Sequence, residues 1–259
     1  MALPAGRAEP GWVERFDGPW WALVPAGSIL VFVAIVELDS DTAIWLSYLA
    51  LVAVPPLAAF ALGGLLHGSR PGWALAAVPL FALAWADPGS LAGEAAATAL
   101  SGLGCVTLGW LLVCGVPARW LRLGVYAMAA IDTVFVTADV LQGPNAVLNA
   151  AVPAAGLPAL QTVHFGAAAM GFGDLFVAAL VGCLLAQPPA DGPISQVCLD
   201  VSARRQWGAA GVVAVLALVF DLLFFAVDEL PATVPVAVAL ALVPRLARRL
   251  EGGNAAPHQ

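Results

Sequence analysis

From Ile44 to Leu66 the chain reads "IWLSYLALVAVPPLAAFALGGLL" without one charged side chain. A run of about 20 apolar residues matches the hydrocarbon thickness of a bilayer. Inside that layer every backbone N–H and C=O must be satisfied without water, so such a run is expected to be helical. Similar runs recur near residues 20–38, 72–86, 94–116, 119–141, 158–186, 207–227 and 231–248, with 42–66 as the second of eight. The short segments between them hold nearly all the charge. Charged residues are only 10% of the chain, where a soluble domain has about 25%. The expected fold class is all-α, a polytopic transmembrane helix bundle of about eight helices.

The cations sort the loops. All ten are Arg: Arg7 and Arg15 precede span one, Arg70 lies between spans two and three, and Arg119 and Arg122 open span five. Arg204 and Arg205 precede span seven, and Arg245, Arg248 and Arg249 close span eight. With eight spans all ten fall on one side, which the positive-inside rule makes cytoplasmic. The opposite loops carry Glu37, Asp39, Asp41, Asp87, Glu94, Asp228 and Glu229 and no cation. Both termini are therefore expected in the cytoplasm of a multi-pass membrane protein. The first nineteen residues mix Arg, Glu and Asp with Pro and Gly, unlike a cleaved leader, so the first span is expected to be retained. The segment 187–206, "QPPADGPISQVCLDVSARRQ", reads as a cytoplasmic loop.

Several chemistries are disfavoured. Cys105, Cys114, Cys183 and Cys198 show no C-x-x-C spacing, so neither a metal knuckle nor a disulfide framework is indicated. A net charge of −7 with no basic stripe argues against nucleic acid as a partner. No serine follows a glycine by two positions, and no H-E-x-x-H is present, which sets aside a G-x-S nucleophile and a zinc site of that type.

Four acids fall inside apolar spans: Asp132 and Asp139 in span five, Asp174 in span six and Asp221 in span seven. Each costs about 2.5–3.5 kcal/mol on insertion scales and needs a partner, a cavity or a proton. At about 1.5 Å per residue Asp132 lies about 20 Å from the cytoplasmic end of its span, and Asp174 about 18 Å. They can meet at one level. Asp139 lies nearer the outer surface, and Asp221, about 21 Å deep, is a candidate third member. Two carboxyl groups meeting in low dielectric share a proton and titrate as a coupled pair. One member then acts as base toward water and the other as acid toward the developing oxyanion or leaving nitrogen. Gly166, Ala167, Ala168, Gly171 and Gly173 are expected to let span six approach span five closely, against Ala127, Ala129 and Ala130. Gly171 and Gly173 also loosen the chain around Phe172, opening it to an extended substrate strand.

The G-x-G-D of "MGFGD" (Gly171, Phe172, Gly173, Asp174), the mid-membrane aspartate of "AIDTVFV" (Asp132) and the Pro-Ala opening of "ELPATVPVAVAL" (Pro231, Ala232) resemble the presenilin and signal peptide peptidase group. These are intramembrane aspartyl proteases of the Gly-x-Gly-Asp type. The resemblance covers residues 119–248. It implies Asp132 and Asp174 as the catalytic pair, and Pro231, Ala232 and Thr233 in place of the family's Pro-Ala-Leu motif, which shapes the site and holds substrate. Ile131 stands where the family has Tyr, and Thr233 where it has Leu. It further implies hydrolysis by water, without metal or cofactor, of transmembrane or signal-peptide segments entering from the lipid bilayer. On this reading residues 1–116 hold four spans that add hydrophobicity, 117–250 form the catalytic half and 251–259 a cytoplasmic tail. His164, ten residues before Asp174, is a possible accessory group, as is Asp221.

Two other readings share these residues. A type IV prepilin peptidase also carries Gly-x-Gly-Asp, but commonly with Lys two residues later, where this chain has Phe176. A proton-coupled transporter could use Asp132, Asp174 and Asp221 as a relay.

Overall fold

The computed structural model describes residues 19–23, 27, 41–138, 147, 150–151, 153–154, 156–165, 168–187, 196–223 and 231–253. Most of span one, Asp139 and both chain ends lie outside them. In chain order the helices are α1 (Asp41–Phe60), α2 (Ala77–Ala86), α3 (Leu91–Gly115), α4 (Ala118–Thr137), α5 (Phe172–Ala186), α6 (Gln196–Leu223) and α7 (Thr233–Gly253). Two strands, β1 (Thr162–Phe165) and β2 (Ala168–Gly171), precede α5. Among the described residues, three helical segments are long and apolar enough to cross a membrane: Thr42–Leu65, Leu91–Gly115 and Ala118–Thr137.

α1 carries Pro55 and Pro56 and runs into a π turn, Ala61–Leu65. Proline removes an intrahelical donor, here those that would serve the Leu51 and Val52 carbonyls; separately, the hydroxyl of Thr107 on α3 donates to the Leu57 carbonyl at 2.7 Å and ties α3 to α1. Gly68, at φ +72°, then turns the chain into a 3-10 segment, Pro71–Ala76, that leads straight into α2. The N-terminus of α3 is capped by Ser90, whose hydroxyl accepts from the Gly93 N–H at 3.0 Å.

α3 is the central helix. Gly104 brings its backbone against Val54 of α1, and Gly109 brings it against the Leu180 backbone of α5. One apolar cluster, including Val54, Ala58, Leu100 and Leu103, lies between α1, α2 and α3. The other, including Val113, Val125, Leu180, Leu184, Ala239 and Leu240, joins the end of α3 to α4, α5, α6 and α7. The outward faces are also apolar: Trp45, Leu49 and Val52 of α1 are 73%, 62% and 73% exposed. An apolar exterior at helical spacing suits lipid rather than water.

Three expectations are corrected. Residues 158–186 do not form one helical span, because 162–165 and 168–171 pair as antiparallel strands, Thr162 opposite Gly171 and Val163 opposite Met170, and the helix starts only at Phe172. Apolar runs do not distinguish strand from helix, and the Thr, Val and Phe of β1 favour strand. The fold is thus mostly helical with one small sheet. Second, the presumed loop 187–206 already contains the first turns of α6, which begins at Gln196; the apolar run marked only part of that helix. Third, α5 packs chiefly on α3 and only lightly on α4. The small residue that permits its closest approach is Gly109, where a Cβ would sit 3.1 Å from the Leu180 backbone. Ala129 is buried in the cluster that α4 shares with α5, α6 and α7.

Candidate active site

The buried face of α4 runs Leu121, Val125, Ala129. Asp132 follows three residues after Ala129 and seven after Val125, so helical spacing puts it at the end of that stripe. The element it meets is α7. Pro231 and Ala232 bring the chain into α7, and the Val234 N–H closes onto the Pro231 carbonyl at 3.3 Å. Thr233, the first residue of α7, is 2% exposed. The first N–H groups of a helix have no intrahelical acceptor. That of Thr233 donates to Asp132 Oδ2 at 3.2 Å, and its hydroxyl donates to the same oxygen at 2.7 Å.

Asp174 is held by a second helix N-terminus. Gly171, extended at φ −69° and ψ 151°, is the N-cap of α5, and Asp174 stands in the first turn. Its carboxyl is hydrogen-bonded to the Gly171 main chain, and Oδ2 lies 3.6 Å from where a Gly171 Cβ would be. A third-position acid reaching back to the N-cap backbone is half of a capping box. It also places negative charge at the positive end of the helix dipole. Asp174 is half-buried and within electrostatic reach of Asp132.

The site residues expected from the sequence therefore fall as follows. Asp132 and Thr233 meet where α4 joins α7, and Asp174 on α5 lies within reach of the Asp132 charge. Pro231 is half-buried and Ala232 exposed beside them. Gly171 ends β2, Phe172 is half-buried and Gly173 exposed. His164 is on β1, exposed, with its carbonyl accepting from the Thr98 hydroxyl at 3.5 Å. That differs from a place on a transmembrane helix, because the strand pairing of 162–165 removes the helix. Asp221 lies on α6, with its side chain outside the described ones. Among the described residues no group of three His, Cys, Asp or Glu is arranged to hold a metal.

An open apolar cavity of about 600 Å³ lies beside the motif, walled by Phe172, Gly173 and Phe176 of α5, by Leu108 and Leu112 of α3, and by Trp21. Positions 172, 173 and 176 share one face of a helix, and position 174 falls on the other. The cavity and the acid pair thus flank opposite sides of the first turn of α5.

Sequence reasoning missed two features. The strand leading into the Gly-x-Gly-Asp was signalled only by Thr162, Val163 and Phe165. The bond from Thr233 to Asp132 was signalled only by a hydroxyl-bearing residue, Thr233, two positions after Pro231. No family model, curated protein or solved structure matches the chain.

Proposed function

We propose that the chain is an intramembrane aspartic endopeptidase, hydrolysing peptide bonds in transmembrane or signal-peptide segments, with Asp132 and Asp174 activating water. The observation that carries this reading is the approach of two carboxylates on apolar helices, each oriented by a helix N-terminus, with Asp174 lying within reach of the Asp132 charge. With one shared proton, the ionised carboxylate takes a proton from water as the water oxygen bonds to the amide carbon. The protonated carboxyl gives its proton to the amide oxygen. Collapse of the resulting diol breaks the C–N bond, and a proton passes to the leaving nitrogen.

Substrate approach is supported by the hairpin. β2 has one edge paired to β1, and the other edge carries main-chain donors and acceptors suited to an extended peptide. It ends at Gly171, three residues from Asp174, so a strand laid along it is delivered to the acid pair.

About eight spans with both termini cytoplasmic remain our reading of the topology. Pro71–Ala86 is only 16 residues, yet its 3-10 turns lengthen it to about 27 Å, near the hydrocarbon thickness. α5 alone reaches about 22 Å, and the strand β2 that leads into it adds to that length. Reporter fusions at each loop test this sorting.

A second reading has its own support. Each carboxylate caps a helix, so both could serve structure alone. The deciding experiment reconstitutes the protein with a transmembrane reporter and compares it with Asp132→Asn and Asp174→Asn. Loss of cleavage in both, with folding retained, supports the peptidase. Cleavage that survives both sinks the dyad. Cleavage confined to prepilin-like leaders favours the prepilin peptidase, and acid-driven solute uptake abolished by either change favours the transporter.

A further inference from the structure

Oδ2 of Asp132 receives two donors from one residue, and no donor among the described residues bonds Oδ1. Two donors anchored on the same rigid helix start remove the freedom of the carboxylate to rotate. A carboxylate has about four lone-pair sites, and here the two on Oδ2 are occupied. Oδ1 is then the oxygen left to meet water and Asp174. Thr233 is 2% exposed, so its hydroxyl cannot turn to solvent, and an unpaired hydroxyl in an apolar interior is unfavourable. With the β-branched side chain also restricting its own rotation, the hydroxyl is committed to Asp132.

Resting on the aspartic-peptidase reading, we propose that Thr233 is a positioning residue: its hydroxyl and N–H fix Asp132 so that Oδ1 faces the reaction. It acts through Asp132 and touches neither water nor substrate. This gives the departure from the family's Pro-Ala-Leu pattern a specific purpose, since an aliphatic side chain at 233 would leave only the longer main-chain bond at 3.2 Å. A single bond is a pivot, whereas two are a clamp.

The test uses the full-length protein in lipid, with a fluorogenic transmembrane peptide and kcat and KM measured across pH. Thr233→Val keeps shape and removes the hydroxyl; kcat is expected to fall about 10- to 100-fold, with KM little changed and a displaced pH profile. Thr233→Ser restores the hydroxyl and is expected to recover most of that kcat. Unchanged kcat in Thr233→Val, a change in KM alone, or failure of Thr233→Ser to recover kcat overturns the proposal. If Thr233→Val does not elute as a single folded species, Thr233→Cys, of similar size with a weak donor, replaces it with the same expectations. If the unmodified protein cleaves nothing, the peptidase reading falls, and with it the catalytic purpose assigned to Thr233. The contact itself is then read by infrared difference spectra of protein labelled with carboxyl-13C aspartate. Thr233→Val should shift one carboxylate band, and the same change in an Asp132→Asn background should not; absence of the shift overturns the contact as well.

Discussion

Thr233 and Asp132, 101 positions apart in the chain, are joined by a hydroxyl-to-carboxylate hydrogen bond of 2.7 Å, backed by a main-chain bond of 3.2 Å to the same oxygen. The pair ties the start of α7 to the apolar stripe of α4. It leaves Asp132 oriented, half-buried and within electrostatic reach of Asp174 on a third helix. A hydrogen bond to a carboxylate, here a part-buried one, contributes about 1.5–3 kcal/mol. That is comparable to the roughly 2.5–3.5 kcal/mol cost of inserting the aspartate, so the contact offsets most of the carboxylate's own penalty.

Catalysis by the pair predicts that Asp132→Asn and Asp174→Asn each lower the rate of reporter cleavage about 100- to 10,000-fold, the range attached to a positioned acid or base. Initial rates on purified protein in lipid check this. A residual rate within tenfold of the unmodified protein in either variant would remove that residue from the mechanism.

The capping role of Asp174 predicts a separate effect on stability. Asn retains a side-chain acceptor for the Gly171 main chain, whereas Ala does not. Asp174→Ala should be less stable than Asp174→Asn by about 1 kcal/mol, read from unfolding in mixed micelles. Equal stability would mean that the carboxyl does not cap α5.

Two glycines of α3 should respond in opposite directions to one added methyl. A Cβ at Gly109 would press on the Leu180 backbone at 3.1 Å, while one at Gly102 meets nothing within 4 Å. Replacing Gly by Ala in a helix interior gains up to about 1 kcal/mol from propensity, but overpacking costs about 1–3 kcal/mol. Gly102→Ala is therefore expected to stabilise, and Gly109→Ala to destabilise by parting α3 from α5. Matching signs for the two variants would refute the close approach.

The start of α3 offers an independent check on the fold. Removing the Ser90 hydroxyl with Ser90→Ala should cost about 1 kcal/mol, as for other N-caps. Gly93→Ala should cost more, because its Cβ would overlap the Asp87 carbonyl and the cap would have to open. Thermal unfolding in detergent ranks the two, and a neutral Gly93→Ala would contradict the tight turn at residues 87–90.

Much of the helical layout was legible in the chain because hydropathy reports directly on the medium a segment occupies. The apolar runs at 42–66, 94–116 and 119–141 correspond to helical segments whose ends differ from those limits by only a few residues. The two acids that the structure brings within reach of one another were also conspicuous, since a carboxylate in an apolar run has few uses, and Asp132 and Asp174 stood out by type and depth. What hydropathy does not encode is the identity of hydrogen-bond partners. Residues 162–165 and 168–171 are as apolar as a helix would be, yet they pair as antiparallel strands. Gln196–Gln206 is polar, yet helical.

The sequence by itself therefore determined which segments avoid water, where the cations gather and which acids must be compensated. Tertiary structure decided how they are compensated: α5 lies on α3 because Gly109 has no side chain to hold it off, Asp174 caps the helix it begins, and Asp132 is clamped by Thr233. Each outcome depends on contacts between distant parts of the chain. Their geometry is set only when the helices pack, because an apolar residue binds no particular neighbour until shape and the few buried polar groups select one.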